Sequence, residues 1–317
     1  MNKCRKILQI VSEIADEESL SVSQHCTDWI IKLYNEKSIH YIYGYNFDIN
    51  NSASAMLACD KSATYEILNG NQIPCVEHEL FLCPSQSIYV SEFGNWEPAI
   101  ALSKKMKFPL ICKPNQGTGG SDVRKIKNHR ELEIAFQDLH QHHRSICISP
   151  YYEIEAEYRA IILNDSVLLC YKKELPMIFS DGEKTYGELF IEHLKTNGID
   201  STRVTRSFAE LPFSVQEVPP KGFHAISWKH NLGLGSKPIE IGDTDMIDRI
   251  QDLAKRTMSA CSLNFASVDI ILTKGNELKV LEVNSGIMLE NYILLVNNGY
   301  EKAKQIYKSA IQYMFRN

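Results

Sequence analysis

Two carboxylates and a carboxamide near the end of the chain are the first group of residues that could do chemistry together. Residues 266–290 read ASVDIILTKGNELKVLEVNSGIMLE, in which two apolar, β-branched runs flank Lys274-Gly275-Asn276-Glu277. That pattern predicts a hairpin. A two-residue turn at Gly275-Asn276 sets Asp269 opposite Glu282, and strand alternation returns Asn284 to the same face. Directly opposed carboxylates, with Cβ atoms roughly 4.5–5.5 Å apart, destabilise a strand pair unless a cation lies between them. Two carboxylates and an amide oxygen are hard donors suited to Mg²⁺ or Mn²⁺. The competing reading, a solvated face, has to explain why single acids interrupt the runs VDIIL and KVLEV.

A second group lies in FPLICKPNQGTGGSDV, residues 108–123. A strand over 109–113 delivers Lys113 at its end. Gly117, Gly119 and Gly120, followed by Ser121, then form a loop whose backbone N–H groups can approach an anion without Cβ obstruction. GxxxxGK[ST] is absent and no GxGxxG opens a helix, so neither P-loop nor Rossmann chemistry follows. Glu157 and Arg159 alternate onto one strand face, as an exposed ion pair would. His140, His142 and His143 end a helix over 129–143 without sharing one of its faces, which predicts a solvated helix end rather than a metal site.

The elements around these groups read as α/β and α+β. Residues 6–11 read as a strand. Trp29, Ile30, Leu33 and Tyr34 have helical spacing, 39–43 is a second strand, and 51–70 is one helix-forming segment ending at Gly70. Residues 84–98 read as a connection between lobes. Asp243 caps a helix with Ile247, Ile250, Leu253, Ala254 and Met258 inward, and residues 299–315 form a closing amphipathic helix.

With 317 residues, 44% of them hydrophobic, and a net charge of −5, the chain can bury cores in two or three lobes. Its basic residues are scattered, so no nucleic-acid footprint is expected. Nine widely spaced cysteines without CxxC predict reduced thiols and a cytoplasmic location. No run suits a secretory signal or a membrane span. Small molecules are the expected partners, and self-association is left open.

The Asp followed by Glu-Val-Asn resembles the metal-binding hairpin of the ATP-grasp superfamily, and the strand, Lys113 and Gly-rich loop resemble its phosphate lid. Asp60-Lys61 ahead of ILNGNQIP is similar to the DK…L…GIP segment of dipeptide ligases and cyanophycin synthetases, which implies that Lys61 reaches nucleotide phosphate. Tyr151 and Tyr152 then stand at the hinge whose backbone holds adenine, with Ser149-Pro150 where the family has Glu, and Glu157 stands where ribose is held. ELPMIFSDGEKTYGEL, residues 174–189, resembles a segment of cyanophycin synthetases and bifunctional glutathione synthetases, keeping Asp181-Gly182 and Thr185 but carrying Glu174 for a basic residue. The chain also resembles the ATP-grasp domains of ribosomal-protein glutamate ligases. WKHNLGLG, residues 228–235, resembles a segment in which Asn231 would hold metal or phosphate and Lys229 would replace an Arg facing phosphate.

The resemblance implies an ATP-grasp fold with an N-terminal α/β lobe (1–100) and an ATP-grasp domain (101–317). That domain divides into a small lid lobe, about 105–150, and a C-terminal lobe, about 151–317, which sandwich the nucleotide. It implies ATP with Mg²⁺ or Mn²⁺ at Asp269, Glu282 and Asn284, and an ADP-forming carboxylate–amine ligase working through an acyl phosphate. Lys229, Arg159 and Asn284 would be catalytic. Dipeptide ligases carry an Arg where this chain has Ser267, which leaves Arg159, Arg203 and Arg206 for the oxyanion. An ATP-grasp kinase acting on a hydroxyl and an inactive nucleotide-binding module are the alternatives.

Overall fold

The computed structural model describes residues 5–83, 96–117, 119–199 and 213–316. The chain opens with helix α1 (Lys6–Glu17), which buries Ile7, Ile10, Val11 and Ile14 along one side. Strands β1 (Ser21–His25), β2 (Ile30–Tyr34), β3 (Ile39–Tyr43) and β4 (Asn46–Phe47) follow as an antiparallel meander. Two expectations are corrected here. Residues 6–11 are the first turns of α1, because their apolar positions continue at helical spacing to Ile14, beyond the window read as a strand. Residues 30–34 are a strand and not a helix: Cys26, Thr27 and Asp28 all take left-handed backbone (φ +53°, +53° and +64°) and fold the chain back so that His25 pairs with Ile30. The N-terminal part is therefore one helix and a meander, not an α/β alternation.

Helices α2 (Ser52–Cys59) and α3 (Lys61–Gly70) replace the single helix expected over 51–70. Asp60 is extended, caps α3 by accepting from Ala63 N at 2.9 Å, and bridges Gln116. That break puts Lys61 at the first position of α3, facing the Gly-rich loop.

The next unit comprises β5 (Glu79–Leu82), α4 (Trp96–Met106), β6 (Leu110–Pro114), β7 (Arg124–Ile126), α5 (His129–His142) and β8 (Ser145–Pro150). Its sheet runs β5-β8-β6-β7, and Leu110, Leu132, Phe136 and Ile146 give it a core of its own.

Strands β9 (Ile154–Leu163) and β10 (Ser166–Glu174) are followed by a small excursion of β11 (Met177–Ser180), α6 (Tyr186–Thr196) and β12 (Gly222–Ala225). Then come β13 (Lys237–Ile239), α7 (Thr244–Ala260), β14 (Phe265–Thr273), β15 (Leu278–Asn284), α8 (Glu290–Leu295) and α9 (Gly299–Arg316). Asp243 caps α7 as expected, and Ala303, Ile306, Tyr307, Ala310 and Met314 of α9 face inward. The central sheet, β13-β10-β9-β14-β15, is antiparallel throughout. Its even-numbered β9 and β14 positions, among them Ala160, Ile162, Val268 and Ile270, pack with α7. On the opposite face Ile161, Leu163 and Phe265 share a core with α1, the meander and α9, while Glu157, Arg159 and Asp269 border a cleft. None of the helices among the described residues is long and apolar enough to cross a membrane.

The hairpin of β14 and β15 pairs Asp269 with Glu282 and Ser267 with Asn284. It does so by two offsets that cancel. The turn holds three residues, closed by Thr273 N to Glu277 O at 3.0 Å with Asn276 left-handed (φ +60°), and nearer the cleft the register slips between Asp269 and Ile270. The extra residue, Leu281, switches parity: Leu278 and Val280 face α7, as does Val283, and Glu282 is thereby turned into the cleft.

Phe47 stacks on Tyr307 of α9 at 5.4 Å and meets Phe265 of β14 edge-on at 5.3 Å, so the meander and the sheet share one core. Phe47→Ala is expected to cost about 3–5 kcal/mol and to shift a single urea-unfolding transition followed by both far-UV and near-UV dichroism. A separate early transition would show that the meander folds apart from the sheet.

Candidate active site

Four charges on three adjacent strands, three of them buried and Arg159 partly so, form the floor of the cleft. Asp269 of β14 lies beside Arg159 of β9, whose Nε and Nη2 donate to Oδ1 and Oδ2 at 2.7 and 2.6 Å. Lys173 of β10, opposite Glu157 in the register, places Nζ 2.9 Å from Asp269 Oδ2 and donates to Glu157 Oε1 at 2.5 Å. Asp269 is 1% exposed and Lys173 4%, so these pairs are shielded from solvent. Burial by itself would raise the Asp269 carboxyl, but the charges of Arg159 and Lys173 outweigh it and hold the group well below the usual carboxylate range. For Glu157 burial wins, reinforced by Asp269 and only partly opposed by Lys173, and the group is pushed up to about 7. Burial and the neighbouring Lys173 bring His230, 3.7 Å from Glu157 Oε2, down to about 4, so it is neutral at physiological pH.

Glu157 and Arg159 share a strand face, yet they do not pair with each other. Each pairs across to the neighbouring strand, and neither is the exposed ion pair of the sequence reading. The cations that offset Asp269 are protein side chains, and Lys173 among them went unrecognised in the sequence. A lysine in the alternating strand SVLLCYKK was its only signal.

Glu282 and Asn284 line the same cleft beside Asp269, with Asn284 Nδ2 donating to Glu282 Oε1 at 3.3 Å. A carboxylate offers about four acceptor sites. Arg159 and Lys173 use three of those on Asp269, so one remains alongside Glu282 and the Asn284 amide oxygen. That donor set fits a hard divalent ion. Among the described residues no three His, Cys, Asp or Glu side chains converge, so the carboxamide of Asn284 is the third protein oxygen such an ion could use here. At the end of α5, His143 Nε2 lies 3.1 Å from Asp122, and His140 packs half-buried against Phe136 at 4.5 Å. These two contacts correct the solvated helix end expected there.

Lys113, one residue before the end of β6, is buried, and burial lowers its pKa. Lys61 Nζ donates to Gly117 O at 3.1 Å, Lys229 Nζ to Val123 O at 2.8 Å, and Asn231 Nδ2 to Gly119 O. Asn231 Oδ1 accepts from Gly233 N at 2.8 Å, which fixes the amide. Gly119 and Gly120 are left-handed (φ +72° and +69°), a conformation that L side chains resist. Ser121 follows them on the cleft wall, Tyr151 packs edge-on against Trp228 at 6.0 Å, and Lys125 Nζ stands 3.6 Å from the Tyr151 ring centre. Tyr152 completes this wall.

The structure brings fifteen of the residues singled out for the site into one cleft of about 510 Å³: Lys61, Lys113, Gly117, Gly119, Gly120, Ser121, Tyr151, Tyr152, Glu157, Arg159, Lys229, Asn231, Asp269, Glu282 and Asn284. Arg203 and Arg206 lie outside the described residues. The cleft also extends past Asn284 to Trp29, Tyr45 and Asn46 of the meander region, which the sequence reading had not assigned to a site.

No protein-family model matches the chain, and no curated protein sequence matches it. Solved structures do. A bifunctional glutathione synthetase from Pasteurella multocida is similar with a TM-score of 0.55 at 15% identity over 96% of this chain, which spans 44% of that enzyme's length. A D-alanine–D-alanine ligase from Bacillus anthracis complexed with ATP is similar at 0.52 and 15% identity, over 84% of this chain and 68% of the other. The VanG D-Ala:D-Ser ligase from Enterococcus faecalis matches at 0.50 and 16%, over 82% and 64%. The chain has the ATP-grasp fold.

Removing one partner of a buried ion pair typically costs about 3–5 kcal/mol. Lys173→Met is expected at the low end, about 3 kcal/mol, because Glu157 can take up a proton. A raised folded-state carboxyl contributes stability that is present below its unfolded value and lost as pH rises through the folded one, and losing Lys173 moves that folded value higher still. Urea denaturation should therefore show a larger loss at about pH 8 than at about pH 6. An equal loss at both would place the cost elsewhere.

Proposed function

We propose that the chain is an ATP-dependent, ADP-forming carboxylate–amine ligase, with nucleotide held between the β5–β8 lobe and the central sheet. The observation that carries this reading is the convergence of Lys61, Lys113, Lys229 and a left-handed Gly-rich loop on one side of a cleft with Asp269, Glu282 and Asn284 on the other, on a fold shared with ligases. In the sandwich, residues 101–317 are the ATP-grasp part, and we place the protein in the cytoplasm on its cysteine usage.

In this mechanism ATP and a carboxylate substrate react in line, and the γ-phosphoryl passes to the carboxylate to give an acyl phosphate and ADP. An amine then attacks the acyl carbon, and phosphate leaves. Protein groups have little covalent work in the first step, so positioning and electrostatics dominate. Lys113, desolvated near the end of β6, and Lys61 at the head of α3 neutralise phosphate oxygens, and Lys229 and Asn231 orient the loop that closes over them. Tyr151, Tyr152 and Glu157 lie where adenine and ribose would rest. Mg²⁺ or Mn²⁺, held by Asp269, Glu282 and Asn284, would supply Lewis-acid neutralisation of the phosphoryl oxygens. Arg159, locked onto Asp269, fixes that carboxylate's orientation and adds positive potential beside the transferring group. Closure of the lid lobe excludes water from the acyl phosphate.

With ATP, Mg²⁺ and a suitable substrate pair the products should be ADP, phosphate and an amide. Hydroxylamine in place of the amine should yield a hydroxamate detectable by mass. A stable phosphorylated alcohol with background phosphate release would instead establish the kinase alternative, and AMP with pyrophosphate would overturn both.

Glu282→Gln should abolish turnover without loss of apo stability, since it removes a charge facing Asp269 and no packed surface. Lys113→Ala should weaken ATP binding, measured by fluorescence titration, at least tenfold, the effect of losing about 1.4 kcal/mol of charge pairing in a low-dielectric cleft. Wild-type turnover in Glu282→Gln at low Mg²⁺ would remove the metal assignment.

A further inference from the structure

Resting on the ligase reading, we propose that the end of the cleft beyond Asn284 is the acceptor subsite. We propose further that it takes an uncharged aromatic or large apolar group, on a substrate whose other polar groups are amides, as in a peptide or an N-acylated amino acid. The strand register orders the cleft. Glu157 and Lys173 come first, then Asp269 with Arg159 and Glu282, then Ser267 with Asn284. Past Asn284 the chain meets the end of the meander: Asn46 bridges Gly286, Ile287 N donates to Tyr45 O at 2.9 Å, and Ser285 Oγ donates to Asn46 Oδ1 at 3.0 Å. Gly286 is four residues from Glu282 but lies beyond the end of β15 at Asn284, so the two are at most ~13 Å apart along the chain. A large side chain reaches about half of that from a reacting carboxyl and the next residue most of it, on the side away from Glu157.

The chemistry of the walls changes over that distance. The middle of the cleft carries Lys113, Arg159, Lys173, Asp269 and Glu282, with Tyr292 against Tyr171 at 5.4 Å, whereas Trp29, Tyr45, Asn46, Met288 and Asn291, around the Asn46–Gly286 bridge, carry no charge. Trp29 is 44% exposed and Met288 49%. Open apolar surface of this kind gains ~25 cal/mol per Å² when a ligand covers it, while Asn46 and Asn291 offer amide donors and acceptors to a peptide group.

The ionic groups flanking this end are already engaged. Glu290 accepts from Lys6 N at 2.9 Å, Ile7 N at 3.2 Å and the Tyr45 hydroxyl at 3.2 Å. Arg5 donates to Gly44 O at 2.9 Å and lies 4.8 Å from the Trp29 ring centre and 5.3 Å from that of Tyr45. A free zwitterion would find the charges of Arg5 and Glu290 already hydrogen-bonded elsewhere, whereas a neutral aromatic group gives up only its own hydration. The platform is rigid: Trp29 meets Tyr45 edge-on at 6.3 Å, and a Cβ on left-handed Gly44 (φ +63°) would lie 2.7 Å from the indole.

The test is calorimetric titration of the full chain, saturated with ADP and Mg²⁺, with N-acetylphenylalanine, N-acetylaspartate, alanine and phenylalanine. N-acetylphenylalanine is expected to bind at least tenfold more tightly than the other three. Trp29→Ala should weaken it at least tenfold with ADP affinity retained, Trp29→Phe should restore most of the loss, and Met288→Lys, a change at a half-exposed site, should weaken it similarly. The subsite is overturned if no probe binds, if charged or small probes bind as tightly, or if Trp29→Ala and Met288→Lys both bind as wild type. Failure of the ligase reading looks different: N-acetylphenylalanine binds in a Trp29-dependent way but gives no hydroxamate with ATP and hydroxylamine.

Discussion

The buried pairing of Arg159, Asp269, Lys173 and Glu157 is the constraint on which the rest of the molecule depends. Taking each of these charges out of water costs several kcal/mol, and the cost is recovered only if the partners sit at hydrogen-bond distance. They are drawn from three strands, so the geometry exists only when β10, β9 and β14 hold one register, since a slip by one residue would turn each side chain to the opposite face. The sheet secures that register by making its other face uniformly apolar. Ala160, Ile162, Val268 and Ile270 cannot leave α7 without exposing themselves, and the charges are therefore held in the cleft by the hydrophobic effect acting on their neighbours.

How the acid pair was legible in the sequence follows from the same parity. Isolated Asp and Glu in apolar strands implied a shared face, and the structure gives it, although by another route. A three-residue turn closed at Asn276 moves the register by one, and the bulge at Leu281 moves it back. Hydrophobic alternation in KVLEV cannot reveal a bulge, because Leu281 is as suitable for a bulged position as for a paired one. What sequence cannot show at all is the cross-strand partner. Asp269 reads as a bare carboxylate awaiting a metal, while its compensation comes from Arg159 and Lys173, 110 and 96 positions away.

The N-terminal part was misread for a physical reason. Six apolar-rich residues satisfy both periods, and in 6–11 only the continuation to Ile14 separates helix from strand. In 26–28 the deciding feature is three successive left-handed residues of which none is glycine, so the turn had no signature. Asp60 carried a clear capping signal, but within ACDKSAT it could equally have lain on a continuous helix. The strand carrying Lys113 and the backbone of the glycines were more readable, since a short apolar run and clustered glycines each dictate their local conformation.

The cleft's own hydrogen bonds bear on how it would receive an anion. Lys61, Lys229 and Asn231 each donate to a backbone carbonyl of the segment around the Gly-rich loop, so the loop is tied down by Lys61, which the proposed mechanism turns toward phosphate, and by Lys229 and Asn231, which orient it. On that reading nucleotide binding exchanges the acceptor of Lys61, carbonyl for phosphate oxygen; the bond is charge-assisted in both states, and the driving force is the added attraction between the ammonium and the phosphate charge. Lys61 is already partly desolvated in the loop-bound state, so less hydration is lost at the exchange and more of that attraction is retained. The carbonyls released in the exchange must find other donors, and the left-handed Gly119 and Gly120 allow the backbone to reorient at small steric cost. Under the proposed mechanism loop position and phosphate binding are linked: a phosphate that withdraws Lys61 from Gly117 frees that part of the loop to present its N–H groups instead of its carbonyls.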